Sequence, residues 1–262
     1  MIHKVLPLLE EAGAVALSGQ GAVGAEVRAA GMFSRLVESE FRYMAPLIVS
    51  EGNFGSLKPD PLARIKQASY SFVIDPLDGA LTYSSGYPLW AISVGILSQG
   101  KPLAGAIYAP ALGELVYCDV DEAAFVSRPF TRNERRRDIL SSAPLPPVFI
   151  NETAGLVPSG AWNPKYCAPI DVYADALRAL FTVSGRAMGF ASFGYLWDLA
   201  GVWPLAKHAG MGIRDLETSK PLCINDFRND DLRVHSGDYK IMSRYADHEY
   251  IKSILSVRKN HW

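Results

Sequence analysis

Apolar residues recur at helical spacing through residues 3–18 and again through residues 27–44 ("VRAAGMFSRLVESEFRYM"), which predicts two amphipathic helices before the first strand. "GQGAVG" between them supplies the break. From residue 69 the period falls to two, and β-branched and aromatic residues take over in "SYSFVID", "WAISVGILSQ", "LAGAIYAP", "ELVYCDV" and "AAFVS". The joints "QGKP", "APALGE" and "DVDE" have turn composition, so the run predicts an antiparallel meander with helices packed on it. "RNERRRD" (132–138) and "SSAPLPP" then mark a boundary between an N-terminal α+β lobe, 1–140, and a C-terminal α/β lobe, 141–262. The arginine run reads as a solvated loop, with contact to a phosphate or a neighbouring subunit as the sharper alternative. In the second lobe the pattern predicts a strand at "PVFINET", a helix at "DVYADALRALFTVSG", a strand at "RAMGFA" and a helix at "LWDLAGVWPLAKHAG" closed by glycine. A strand and a helix follow in "VHSGDYKIMSRYADHEYIKSILSV".

Composition narrows the partners. The chain has 262 residues, enough for a sizeable core, and its 26 Lys+Arg nearly cancel its 27 Asp+Glu. No net field recruits nucleic acid or an anionic membrane, so a small molecule is the expected partner. Cys118, Cys167 and Cys223 are widely spaced with no C-x-x-C, which points to reduced thiols. Two glutamates interrupt the apolar N-terminal stretch, and no uninterrupted apolar run approaches 18 residues, so neither a signal peptide nor a membrane span is expected. The expected location is cytoplasmic.

Three carboxylate positions carry the candidate chemistry. In "SFVIDPLDG", Asp75 falls where the strand should stop, because Pro76 has no amide hydrogen. Asp75, the Leu77 carbonyl and Asp78 can then converge on one point, a hard-oxygen set suited to Mg2+. The plainer reading is a turn whose aspartates bond backbone amides. Asp198 in "LWDLAGVWPLAKHAG" opens a predicted helix, where an aspartate commonly serves as an N-cap. Glu51 in "APLIVSEGNFG" ends another apolar segment and, taken alone, is a strand-end charge.

Together these pieces resemble the inositol monophosphatase family, which includes the fructose-1,6-bisphosphatases. "DPLDG" follows an apolar strand, a glutamate stands about 24 residues earlier after "LIVS", and "WDLAGVWPLAKHAG" lies about 120 residues later. The resemblance implies a layered α/β/α/β/α sandwich and a phosphomonoesterase that is Mg2+-dependent and works by metal-activated water attack. The implied substrate is a small sugar, inositol or nucleotide phosphate, and the implied assembly is a homodimer. By matching position, Glu51, Asp75 and the Leu77 carbonyl would hold one ion, while Asp75, Asp78 and Asp198 would hold a second. Two ions about 4 Å apart orient a water and polarise a phosphoryl group. Glu51, Asp75 and Asp78 would be the catalytic acids, with Gly79, Ala80 and Asp198 on the substrate.

The sequence also departs from the family pattern. A threonine or serine usually follows D-P-x-D-G and helps orient the attacking water; here Ala80 offers no hydroxyl, and Thr82 is the nearest substitute. The family's upstream aspartate falls in "GAEVRAAGMF" near Arg28, with Glu26 as the neighbouring acid, and the second glutamate of G-E-E is Gly52. "YADALRA" replaces the family's G-[ST]-A-A, and "GFASFG" lacks the acid that contacts a sugar or inositol hydroxyl, which argues against inositol as substrate. A pseudophosphatase, binding metal or phosphate in a regulatory or structural role, is therefore the alternative. Other hydrolase and nucleotide motifs are missing: there is no G-x-x-x-x-G-K-[ST], no G-x-S-x-G and no H-x-x-x-H pair.

Overall fold

The computed structural model describes residues 1–22, 25–127, 135–137, 148–149, 156–158, 169–235 and 239–257. Two helices, α1 (Ile2–Gly19) and α2 (Ala25–Phe41), open the chain. A seven-stranded sheet follows: β1 (Leu47–Ser50), β2 (Ser71–Asp78), β3 (Ala91–Ser98), β4 (Lys101–Ala109), β5 (Glu114–Cys118), β6 (Ala123–Ser127) and β7 (Arg135–Arg137), hydrogen-bonded in that order. β1 runs parallel to β2, and every later neighbour is antiparallel. Two short helices interrupt the sequence: α3 (Pro61–Gln67), capped by the Asp60 carboxylate on the Ala63 amide, and α4 (Ala80–Ser84).

The second half contributes β8 (Val148–Phe149), β9 (Leu156–Pro158), β10 (Pro169–Ile170), α5 (Asp175–Val183), β11 (Gly189–Ser192), α6 (Leu196–Ala200) and α7 (Val202–His208). It ends with β12 (Met211–Asp215), β13 (Lys240–Arg244), α8 (His248–Ile254) and β14 (Leu255–Val257). Five of these strands form one sheet in the order β10-β8-β11-β13-β12, and β14 pairs with β9.

The layers follow from which side chains each strand sends to which face. Phe72 and Ile74 of β2 join Ile92, Val94 and Ile96 of β3 beneath Val5, Leu9, Phe33, Val37 and Phe41 of the first two helices. Val73 and Ile107 face the other way, into a core with Leu177 and Leu180 of α5, Leu199 of α6, Leu205 of α7, and Phe190, Ile213 and Met242 of the second sheet. The far side of that sheet buries Ala191 and Ile241 against Ile251 and Ile254 of α8. The chain is thus the expected α/β/α/β/α sandwich, with central strands apolar on both faces because both are covered.

Several expectations change in detail. β2 does not stop at Asp75 but continues to Asp78 through an irregularity in which Asp75 pairs with Ser93 and Asp78 with Ala91. The missing Pro76 amide costs one rung, not the strand. The single helix expected over "LWDLAGVWPLAKHAG" divides at Gly201, since Pro204 has no amide to offer the Ala200 carbonyl. Arg135–Arg137 forms β7, the last strand in the order of the seven-stranded sheet, instead of a loop. β9, β10, β12, α3 and α4 lie where no element was predicted, and β14 takes the last residues of the segment expected to end as a helix. "SSAPLPP", Cys167 and the boundary at 140/141 lie outside the described residues. Among the described residues, no helix is long and apolar enough to cross a membrane.

Candidate metal centre

The irregular end of β2 sets the first two acids. Asp75 is 7% exposed, and its Oδ1 accepts the Leu77 amide at 3.1 Å. Asp78, part-exposed, accepts the Ala176 amide at 2.5 Å from the first turn of α5. Gly79 then turns the chain into α4 with φ +93°, and a Cβ there would stand 2.8 Å from the Leu89 carbonyl oxygen. A side chain at Gly79 is therefore excluded twice, by conformation and by space.

Asp198 arrives from the opposite direction on α6. It is the third residue of that helix, and its Oδ2 accepts the Tyr195 amide at 2.7 Å. Asp198 is therefore not the N-cap the sequence suggested: Tyr195 holds that position, and Asp198, one turn in, bonds its amide as the acidic half of a capping box. The Asp198 carboxyl also lies close enough to Asp75 for the two to share a proton. Tyr195 stacks on Trp197 with centroids 4.8 Å apart, which fixes the start of the helix. The close seat of α6 on the sheet depends on small residues. A Cβ at Gly201 would lie 2.1 Å from Ser93 Oγ, and one at Gly95 would lie 2.3 Å from the Ala200 carbonyl oxygen.

The three aspartates face one another without an internal cation at contact distance among the described residues. Burial pushes the Asp75 carboxyl well above the usual range, and the charges of Asp78 and Glu51 add to it against the pull of the Leu77 amide. Burial also raises Asp78, reinforced by Asp198 and Asp175; the Ala176 amide and Arg178 only partly oppose this. Asp198 is raised by burial, then by Asp75 and Asp175. Close carboxylates behave this way when nothing positive lies between them. These are hard oxygen donors, and a divalent cation among them would offset the repulsion that raises their pKa values, which is the chemistry of a Mg2+ donor set.

The remaining predicted residues are less enclosed. Glu51 follows β1 directly and is exposed, acting on Asp75 through its charge. Asn53 shapes that turn, its side chain accepting the Ser50 amide at 2.7 Å and donating to the Ile48 carbonyl at 3.0 Å. Leu77 is buried beside Asp75. Ala80 begins α4 and is exposed, whereas the Thr82 hydroxyl lies against the Gly79 and Leu89 carbonyls. Thr82 is thus spent on the turn and does not replace the hydroxyl missing at Ala80. Arg28 is exposed on α2, and the Glu26 side chain lies outside the described residues.

A cavity of about 190 Å3 adjoins the acids, lined by Asp78, Asp198, Asp175, Tyr173, Ser192 and Arg233, among others. Asp175 is a fourth acid that the sequence reading overlooked. Its Oδ1 pairs with Arg178 Nη1 at 2.6 Å, and the Ser192 hydroxyl donates to its Oδ2. The available signal was an acid at the start of the apolar helical run "DALRALFTV".

Comparison with known proteins agrees with this architecture. Residues 48–254 match the inositol monophosphatase family. An inositol-1-monophosphatase of Mesorhizobium japonicum is 26% identical over 171 residues, 61% of this chain and 62% of that relative, so the chain spans about six tenths of its length. A probable inositol 1-monophosphatase, ImpA, of Mycobacterium tuberculosis is 26% identical over 239 residues, 82% of this chain and 83% of the relative. The solved IMPase of Thermotoga maritima superposes with a TM-score of 0.70 at 19% identity, covering 94% of this chain and 92% of its own.

Proposed function

The chain belongs to the inositol monophosphatase family, and from that premise we propose that it is a Mg2+-dependent phosphomonoesterase of small phosphorylated metabolites. The observation that carries the proposal is the convergence of Asp75, Asp78 and Asp198 from two separate elements, with raised pKa values and, among the described residues, no counter-charge in contact. Such a cluster is costly to fold unless a cation completes it. Glu51, Asp75, the Leu77 carbonyl, Asp78 and Asp198 would hold two or more ions. Bound Mg2+ supplies Lewis-acid polarisation of a phosphoryl oxygen and the counter-charge for the acids. The chain's own part is positional. The Leu77 and Ala176 amides orient Asp75 and Asp78, the Tyr195 amide orients Asp198, and Gly79 and Ala80 present the first turn of α4 beside them. The named relatives are inositol monophosphatases, and a sugar, inositol or nucleotide phosphate is the proposed substrate range. A homodimer with lobes divided near residue 140, in the cytoplasm, completes the proposal.

The test is phosphate release from an aryl phosphate with and without Mg2+. Metal-dependent release that disappears in Asp75→Asn supports the reading; no release from that substrate or from a panel of sugar, inositol and nucleotide phosphates overturns it. A second reading rests on Ala80 and the engaged Thr82 hydroxyl: a pseudophosphatase that binds metal without turnover. Calorimetry showing Mg2+ binding with no hydrolysis selects that reading.

A further inference from the structure

The cavity beside the acids holds two arginines in different states. Arg178 is already paired: its Nη1 meets Asp175, its Nη2 meets Asp171, and its Nε donates to the Val172 carbonyl. Arg233 is held by other means. Its guanidinium lies over the Phe193 ring at 4.0 Å and near the Tyr195 ring at 5.4 Å, and its Nε donates to the Phe193 carbonyl at 3.2 Å. Among the described residues it forms no ion pair at contact distance. The neighbouring acid Asp231 is engaged by Arg228, whose Nε and Nη2 reach its two oxygens.

The backbone fixes this cation in place. Leu196 donates to the Leu232 carbonyl at 2.8 Å, Val234 donates to the Gly194 carbonyl at 3.1 Å, and Tyr195 and Arg233 form an antiparallel bridge. Arg233 is therefore carried on a short ladder against the segment that leads into α6 and Asp198, and it lines the same cavity as Asp78 and Asp198. A guanidinium lying over one ring and near a second has part of its surface covered by apolar faces, while no hydrogen bond from its Nη atoms is formed among the described residues, which leaves them available for a planar anion. Nearby, "GFASFG" carries no acid to accept a sugar hydroxyl, so this wall of the cavity offers aromatic faces and a cation.

We infer that Arg233 is a specificity-determining residue that binds a second anionic group, a carboxylate or phosphate, on the substrate, so that the preferred class is a phosphate monoester carrying another negative charge and not a neutral polyol phosphate. This rests on the proposed phosphatase reading, which supplies the site for the scissile phosphate. The acids and their cations take one anionic end, and Arg233 takes the other. A neutral polyol leaves the Nη donors without an anionic partner, and the discrimination arises there.

The test compares matched monoesters that differ only in the second group: phosphoglycolate against hydroxyethyl phosphate, and phosphoglycerate against glycerol phosphate, all with Mg2+. The wild-type protein should favour the anionic member of at least one pair in kcat/KM by about tenfold to a hundredfold, the scale of one charge-assisted hydrogen-bonded contact. Arg233→Ala should reduce that ratio to near one, Arg233→Lys should keep part of it, and Arg233→Glu should invert it. A wild-type ratio near one in both pairs, or a ratio unchanged in Arg233→Ala, overturns the assignment. If no phosphate is released from any ester, aryl phosphate included, the phosphatase reading fails instead. Calorimetric binding of the same pairs then reads the same ratio, and equal affinity within each pair, or a difference that Arg233→Ala leaves intact, overturns the role of Arg233. Circular dichroism of each variant distinguishes loss of fold from loss of preference.

Discussion

Asp75 and Asp215 are both nearly enclosed, at 7% and 6% exposure, yet their carboxyls are displaced in opposite directions. Burial acts to raise both. At Asp215 it is overcome by the Thr218 amide and hydroxyl, each at 2.7 Å, and by the Lys240 ammonium at 3.4 Å, and the pKa falls below the usual range. Lys240 is 3% exposed on its side chain and also pairs with Asp226 at 3.3 Å. At Asp75 burial and the charges of Asp78 and Glu51 outweigh the Leu77 amide and the hydrogen-bonding contact with Asp198, and the pKa rises. The fold therefore gives Asp215 a lysine of its own, whereas Arg178 is taken by Asp175 and Asp171, and among the described residues no cation contacts Asp75, Asp78 or Asp198. The incomplete cluster is the one suited to an external cation.

The contrast can be broken most severely at Asp75. Asp75→Asn is expected to lower Mg2+-dependent hydrolysis on the order of a thousandfold, while raising the melting temperature of the metal-free protein because a repelling charge is gone. A variant that is inactive but less stable without metal would mean that Asp75 is a structural acid like Asp215. The mirror experiment is Asp215→Asn, which leaves Lys240 with Asp226 alone. It should destabilise the protein by about 3 kcal/mol, as breaking a buried pair does; thermal or urea unfolding measures this.

Ala80 sharpens the comparison at the level of chemistry. If the cluster holds its cations and lacks only a water-orienting hydroxyl, Ala80→Thr should raise kcat by about tenfold. Steady-state kinetics on an aryl phosphate decides this, and an unchanged kcat would place water orientation on other groups.

The smallest expected effect is in the pH dependence of stability. Asp75, Asp78 and Asp198 keep protons in the folded state that the unfolded chain releases above about pH 4. Their raised pKa values therefore make the metal-free protein less stable as pH rises from about 5 to 8, by a few degrees in melting temperature. Saturating Mg2+ should flatten that slope. Asp215 has the opposite sign: its contribution is present above about pH 4 and is lost as pH falls, so Asp215→Asn should leave the slope between pH 5 and 8 unchanged. A metal-free melting temperature that climbs across this range would contradict the contrast. Differential scanning fluorimetry with a chelator, then with Mg2+, measures both arms.

Much of this was legible in the chain itself. The period-two run from residue 69 specified the meander because each strand needs alternate residues for two covered faces, and α1 followed from its helical apolar spacing. "DPLDG" and "WDLAG" named three of the four clustered aspartates, since proline and glycine constrain the backbone locally whatever the rest of the chain does. Contacts between distant segments were not legible. Asp175 reads as an ordinary acid at a helix start; only the packing of α5 beside β2 and β11 puts it among Asp78, Asp198 and Ser192. Arg233 lies in a segment with no motif, and its place follows from a ladder of backbone bonds to residues about 40 positions earlier. Thr82 could stand in for the missing hydroxyl on paper, until the turn after Gly79 directed it at two carbonyls. Local sequence determined which acids could bind a cation, because turn chemistry acts over a few residues. Tertiary structure decided which charges had a partner and which did not, because pairing depends on what the fold brings within a few ångströms.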